Sequence, residues 1–347
     1  RAQPRSRGLG DVYKRQALAR IGRGWIQVVG DYGEAVDEEF RLLTRLASRS
    51  GRPLTLTLLQ KDAHPDQWRE LLDLISSANA KGLQMTGQIR GRPTSTLLGF
   101  ELSENPFLDC PSWGKLSSLN IDERIHILRD QNFRERLISE THSSPALIKR
   151  LRNWDRIFPL GDPPQYEPDP DTSVGAVARR QGSDPAGLAY DLMLERNGRA
   201  ILYHPMTNYS GGDLAPVYEM LGHPHTLIGL GDGGAHVGIM CDATDMVHTL
   251  THWTRDRTRG PKHPIEKLVQ RLTSANAEAI GLYDRGRIAV GMRADINVVD
   301  YESLQLQAPE VHYDLPAGGK RLLQYSTGLE ATILAGVPVW RLSLIHI

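Results

Sequence analysis

The sequence predicts an α/β fold built on a parallel sheet and followed by a small antiparallel β unit. Three observations carry that prediction. The first third of the chain repeats an apolar run followed by an amphipathic helical stretch. A Gly-Asp-Gly-Gly turn directly follows a later apolar run, and from about Gly286 the texture changes to short β runs.

Trp25–Val29 is the first apolar run, and Val36, Phe40, Leu43 and Ala47 behind it have the spacing of one helix face, closed by Gly51. Leu54–Leu59 is the second run, with Trp68, Leu71, Leu72 and Ile75 on the following helix and Gly82 at its end. Leu83–Ile89 is the third. Strands separated by single helices read as βαβαβ, and right-handed crossovers make such a sheet parallel.

After Pro93 the pattern loosens into an excursion that runs to Thr172, with helical residues from Asp122 to Thr141 and a proline-rich loop from Gly161. So long a segment inside an α/β domain reads as a lid or substrate loop. A helix over Asp184–Arg196 is expected, with Ser183 as its cap and Pro185 in its first turn. A strand over Ala200–His204, a helix over Leu214–Leu221 and a strand over Thr226–Leu230 follow. Beyond Gly286, the runs Gly286–Asp300 and Ala331–Trp340 read as short strands, with Gly336-Val-Pro as a turn.

Lys+Arg and Asp+Glu balance at 41 each, which points away from nucleic acid and from a polybasic membrane contact. Cys110 and Cys241 form no CxxC pair and no disulfide framework, which favours a reducing, cytoplasmic setting. No apolar run approaches the roughly 18 residues of a membrane span. Oligomeric state is left open.

The chemistry concentrates at Gly229-Leu-Gly-Asp-Gly-Gly-Ala-His-Val-Gly238. An aspartate at the carboxyl end of a parallel strand, among glycines that let other groups approach, stands where α/β barrels place catalytic residues. Alternation puts Thr226, Ile228, Leu230 and Asp232 on one face, so that Asp232 closes an inward column; a turn-capping role beside Gly233 is the alternative. His204 ends the preceding strand and is expected at the same rim. Thr86, Gln88 and Arg90 alternate with Met85 and Ile89, a polar face suited to a lumen. Arg90 and Arg92 are candidates for forking a substrate carboxylate. Asn208 and Tyr209 offer an amide and a phenol in the loop after His204. His236 lies four residues past Asp232 and is a second candidate histidine. His248 and His252 have the spacing of a metal pair on one helix face, with a packed face as the alternative.

Leu230–His236, Leu272–Gly281 and Asp284–Asp295, together with Gly91–Pro93, Leu97–Gly99 and His204–Tyr209, resemble the amidohydrolase superfamily, in its N-acyl-D-amino-acid deacylase branch. The resemblance implies a TIM-like (β/α)8 barrel with a small β-sandwich made from both chain ends. Residues 17–283 would then be the C-terminal part of the barrel and residues 284–341 part of the sandwich. It implies a hydrolase of non-peptide C–N bonds that takes a small N-acylated amino acid. Water activated by zinc or another divalent metal would attack the amide, with Asp232 as general base and metal ligand and His204 or His236 assisting. Gln88, Arg90, Arg92, Asn208, Tyr209, Gly233 and Gly234 would line the substrate site. One departure stands out, because the family's mid-barrel histidine positions correspond to Val28 and Leu58, neither of which ligates metal. A metal-free homologue kept as a binding or scaffold protein is therefore the alternative. A two-carboxylate glycosidase is disfavoured, since Asp232 lacks an evident acidic partner.

The ends carry a separate reading. Asp11–Gln16, written as GAT GTG TAT AAG AGA CAG, has a reverse complement that encodes Leu342–Ile347. The word resembles a transposase sequencing adaptor, and Ser6–Gly10 fits the segment normally joined to it. Residues 1–16 and 342–347 are thus expected to be adaptor-derived and the remainder a fragment, inactive alone and with open strand edges.

Overall fold

The computed structural model describes residues 17–140, 144–231 and 233–342. Leu342 apart, the two adaptor-like ends lie outside the described residues. The strands up to residue 230 are β1 (Ile26–Val28), β2 (Leu54–Thr57), β3 (Met85–Ile89), β4 (Ser95–Leu98), β5 (Phe158–Pro159), β6 (Leu202–Pro205) and β7 (Thr226–Ile228). β1, β2, β3 and β7 pair in that order, all parallel, so the expected βαβαβ unit is present and gains a fourth strand.

The helices that cover this sheet follow from their apolar spacing. Val36–Ser50 buries Val36, Phe40, Leu43 and Ala47, and carries Asp37, Glu38 and Glu39 in its first turn, where the helix dipole favours negative charge. Gln67–Ala80 buries Trp68, Leu71, Leu72 and Ile75. Beneath them Leu54, Leu56, Met85, Ile89 and Ile228 are almost wholly buried.

Strand register assigns the opposite face. Gln27, Thr55 and Thr86 form one row across it, and Thr57, Gln88 and Leu227 form the next. The polar face expected from Thr86 and Gln88 is thus present. The inward column expected along β7 is not. Thr226 shares its row with Gly87 and Leu56, Ile228 pairs with Ile89, and only Leu227 joins the polar rows. The Thr226 hydroxyl donates to the carbonyls of Met220 and His223 at the end of the helix Ala215–Gly222. Threonine is small and polar enough to look lumen-facing in a sequence, and this local hydrogen bond turns it to the covered side.

The sheet does not close into a ring among the described residues, and β1 and β7 are its edges. The β7 edge is blunted by side chains, since Arg271 donates to the Thr226 carbonyl and Asn276 Nδ2 donates to the Ile228 carbonyl at 2.7 Å. Side chains that cap edge carbonyls remove the template for pairing with another strand.

Between β3 and β7 the chain builds a structure of its own. β4, β6 and β5 make an antiparallel sheet with β6 in the centre. Leu98, Phe100, Phe107, Trp113, Ile125, Phe133, Tyr190 and Met193 form a second buried cluster beside it. The helix expected over Asp122–Thr141 is two helices, Ile121–Leu128 and Gln131–Ser139, because Asp130 caps the second through a bond from the Phe133 N–H. Likewise the helix Pro185–Gly198 is capped by Asp184 rather than Ser183. Each carboxylate satisfies an N–H that the helix leaves unpaired.

Gly91, just past β3, lies against the helix Asp245–Thr251, and its carbonyl accepts a 2.6 Å bond from Trp253 Nε1. A Cβ there would fall 2.8 Å from Thr249 Cβ and closer still to Thr249 Oγ1. Gly91→Ala is expected to cost roughly 1–3 kcal/mol by overpacking. Urea denaturation checks this, and adding Thr249→Ala, which removes the nearest atom, should recover part of the loss.

After Asp284 the strands are β8 (Ile296–Val299), β9 (Gln305–Leu306), β10 (Glu310–Leu315), β11 (Gly319–Leu323), β12 (Ser326–Thr327), β13 (Leu329–Leu334) and β14 (Val337–Arg341), all paired antiparallel. Residues 286–294, expected to be extended, are not a strand, and only Ile296–Val299 of that run pairs. The turn before β14 is Ala335–Gly336, with φ of 50° and 82°, and Val337-Pro338 already belongs to the strand. Two successive positive φ values suit a two-residue hairpin.

Candidate active site

The polar face leads up to the carboxyl ends of the parallel strands. Gln27 Nε2 donates to Gln88 Oε1 at 2.8 Å, reaching over β2, and Gln88 Nε2 donates to the Gly229 carbonyl at 3.0 Å. This chain of amides runs from β1 to the first residue of the glycine-rich loop. Beside it, the hydroxyls of Thr57 and Thr86 meet no hydrogen-bond partner among the described residues. A buried hydroxyl left without a partner suits a face that receives a polar ligand or ordered water.

The loop that follows β7 is fastened on several sides. Gly229 and Leu230 donate their N–H groups to the Ile89 carbonyl. Farther on, the Val237, Gly238 and Ile239 carbonyls accept from the N–H groups of Leu322, Ser103 and Leu97. Between those anchors Gly233 and Gly234 are exposed, and Gly234 has φ of 136°, a conformation open to glycine and rare for other residues. His236 is exposed with φ of 54°, and its carbonyl accepts from the N–H groups of Ile239 and Met240. Asp232, the residue expected to carry the chemistry, lies outside the described residues.

Arg90 and Arg92 are both buried, and the carboxylates they meet belong to the chain itself. Arg90 Nη2 lies 2.6 Å from Asp242 Oδ1 and 2.6 Å from Asp245 Oδ2. Arg92 pairs with Asp245 through Nε, donates to the Cys241 carbonyl, and stacks its guanidinium 4.2 Å from the Tyr166 ring centroid. Burial alone would lower the Arg92 pKa, and Tyr166, Asp245 and Asp242 together raise it above its ordinary value. The expected substrate fork is thus engaged in a compact quartet of two arginines and two aspartates. Asp242 and Asp245 went unnoticed in the sequence because nothing near them forms a motif; their spacing of three at a helix start was the available clue.

His204 lies on a strand outside the parallel sheet, and Asn208, in the loop after it, meets the segment just past β2. β3 pairs directly with β7, so β6, which carries His204, belongs to the separate antiparallel sheet. His204 is buried; that burial, with nearby Arg156, holds its pKa down to about 4, so it is neutral at pH 7. Asn208 is fully buried, with φ of 60°; its Oδ1 accepts from the Gln60 N–H at 2.7 Å and its own N–H donates to the Gln60 carbonyl. It clips two loops together. The Tyr209 hydroxyl donates to the Pro168 carbonyl. The sequence assumption that failed is that consecutive strands are neighbours.

A second buried charge network escaped the sequence altogether. Glu167 accepts from Arg257 at 3.0 and 2.9 Å, from the Leu214 N–H at 2.8 Å, and lies 3.0 Å from His252 Nε2. Burial would raise its pKa, but the bonds from His252, Arg257 and Leu214 prevail and hold it at about 2. His252 stacks on His248 with ring centroids 4.7 Å apart, so the packed-face alternative describes this pair. His248 is fully enclosed, and burial first, then His252 and Arg92, push its pKa well below the usual imidazole value.

The described residues do not fit the metal that the family resemblance implies. Val28 shares its row with Leu56 and Gly87, away from the polar rows, and Leu58 is fully buried. A Cβ on Gly87 would lie 2.7 Å from Leu58 Cδ2, so Leu58 fills apolar space between β2 and β3. Gln27, Thr57 and Gln88 present amide and hydroxyl oxygens, poor donors for zinc. Among the described residues no three His, Cys, Asp or Glu side chains are grouped to hold a metal ion. No helix of the described chain is long and apolar enough to cross a membrane.

No curated protein matches the chain. Among solved structures, a D-aminoacylase described with a binuclear metal centre is 18% identical, covering 93% of this chain and 54% of its own, with a TM-score of 0.46. A D-aminoacylase described as defining a novel subset of amidohydrolases is 18% identical, covering 92% and 53%, with a TM-score of 0.47. The chain therefore spans about half the length of these enzymes. The model of the family described as "Amidohydrolase family" matches residues 12–340, nearly the whole sequence, and the chain belongs to that family.

Proposed function

We propose that the chain forms part of an amide hydrolase that acts on small N-acylated amino acids, those of D configuration foremost. The observation that supports this reading most is the polar sheet face, with its Gln27–Gln88–Gly229 chain and unpartnered Thr57 and Thr86 hydroxyls, rising to the glycine-rich loop. Family membership supplies the reaction type.

In this reading Asp232 takes a proton from water as the water oxygen bonds to the amide carbonyl carbon. The tetrahedral adduct then collapses, the C–N bond breaks, and the proton passes to the departing nitrogen. A carboxylic acid and a free amine result, and the acid's proton passes to the amine. The Gln88 amide and the Thr57 hydroxyl hold the acyl group against the sheet, and Gly233 and Gly234 leave room above it. His236 is the histidine on the same loop and assists the proton's return. His204, buried on another sheet, has no part in this scheme.

The test is release of free amine from matched N-acyl-D- and N-acyl-L-amino acids by the complete gene product. Faster release from the D series is expected, and no release from either series would overturn the reading. Gln88→Leu, which leaves Gln27 and the Gly229 carbonyl without their partner, should lower kcat/KM by about 5–150-fold, equivalent to about 1–3 kcal/mol. Steady-state kinetics of that variant measure it.

A further inference from the structure

We infer that Arg90, Arg92, Asp242 and Asp245 are positioning residues that set the glycine-rich loop over the sheet. The inference rests on the amide-hydrolase reading for its catalytic consequence. All four side chains are at least nine-tenths buried, and their charges balance. The arginines stand directly after β3, and the aspartates close the loop that leaves β7, so the quartet ties the two ends of the site together. The quartet lies close enough to the loop that a side chain at Gly231 would touch it. A Cβ on Gly231 would lie 3.4 Å from Asp245 Oδ2 and 3.4 Å from the Asp242 carbonyl. A Cβ on Gly233 would lie 3.4 Å from Ala243 Cα. The residues on both sides of Asp232 therefore rest on the segment that the arginines hold.

The quartet also keeps charge in balance beneath the loop. An unbalanced charge of either sign beside Gly231 would act on any carboxylate carried by the loop. Arg90 lies 2.6 Å from both Asp242 and Asp245, and Arg92 pairs with Asp245 too, so neither sign is left over. Tyr166 packs against the outer side of Arg92, and Gln324, bonded to the Tyr166 hydroxyl, also meets Thr244. The support continues to the strand β11, where the Leu322 N–H donates to Val237. Direct capture of the substrate by these arginines is the competing role.

The test compares wild type with Asp245→Asn and, should that variant fail to fold, with the less central Asp242→Asn. Hydrogen exchange is read on the amides of Gly229–Met240 and, as a control, on those of β2 and β3. Exchange in the loop should rise at least tenfold while the sheet stays protected, and kcat should fall with KM held within about twofold. Restoring loop protection with Asp245→Glu would support the same account. Unchanged loop exchange in a folded variant would overturn it. So would a raised KM at constant kcat, which marks the arginines as substrate ligands. If wild type hydrolyses no N-acyl amino acid, the proposed function fails, and loop exchange still decides the positioning role.

Discussion

Replacing Glu167 by alanine is expected to destabilise the protein by about 3–5 kcal/mol, the cost of removing one partner from a buried charge pair. The carboxylate is only 2% exposed and serves two oxygens at once, one on Arg257 Nη2 and the Leu214 N–H, the other on Arg257 Nε and His252. Alanine would leave the Arg257 guanidinium buried without a counter-charge between Trp253 and Tyr218, with Pro261 as its remaining hydrogen-bond acceptor. Three separate stretches of chain meet at this carboxylate, so its loss loosens the excursion, the segment from His252 to Arg257 and the loop before Ala215 together. Chemical denaturation of wild type and variant at pH 7 measures the difference.

The same group makes stability depend on acid. Its folded pKa is depressed to about 2 from an ordinary 4.5, so its contribution is present above the ordinary value and disappears as pH falls toward the folded one. A shift of that size corresponds to roughly 3 kcal/mol. Denaturant midpoints taken from pH 6 down to pH 2 should therefore fall more steeply for wild type than for Glu167→Ala. Parallel curves would contradict the assignment.

How far the sequence reached can be followed residue by residue. The helices over residues 36–50 and 67–80 were legible because each carries one continuous apolar stripe and meets a strand of matching period. The polar sheet face was legible in Thr86 and Gln88 for the same reason. What escaped is long-range. Nothing local says that β3 skips more than a hundred residues to pair with β7, and that skip leaves His204 on a strand of another sheet. Nor does a sequence reveal which aspartate an arginine will find, and Arg90 and Arg92 meet theirs more than 150 positions later. Short parity arguments fail where a side chain has a stronger local partner, as Thr226 does at the end of the helix before it.

Asp232→Asn carries the other large effect. Asparagine keeps the size of the side chain and removes its capacity to accept a proton, and general-base catalysis contributes about 10²–10⁴-fold. The polar face, the amide chain from Gln27 to Gly229, and the quartet below the loop would all persist in that variant, so binding should survive while turnover is lost. Steady-state kinetics of the complete gene product on an N-acyl-D-amino acid, wild type beside Asp232→Asn, measure this directly. The account predicts kcat lower by about 10²–10⁴-fold with KM nearly unchanged; an Asp232→Asn enzyme that turns over as fast as wild type would contradict it.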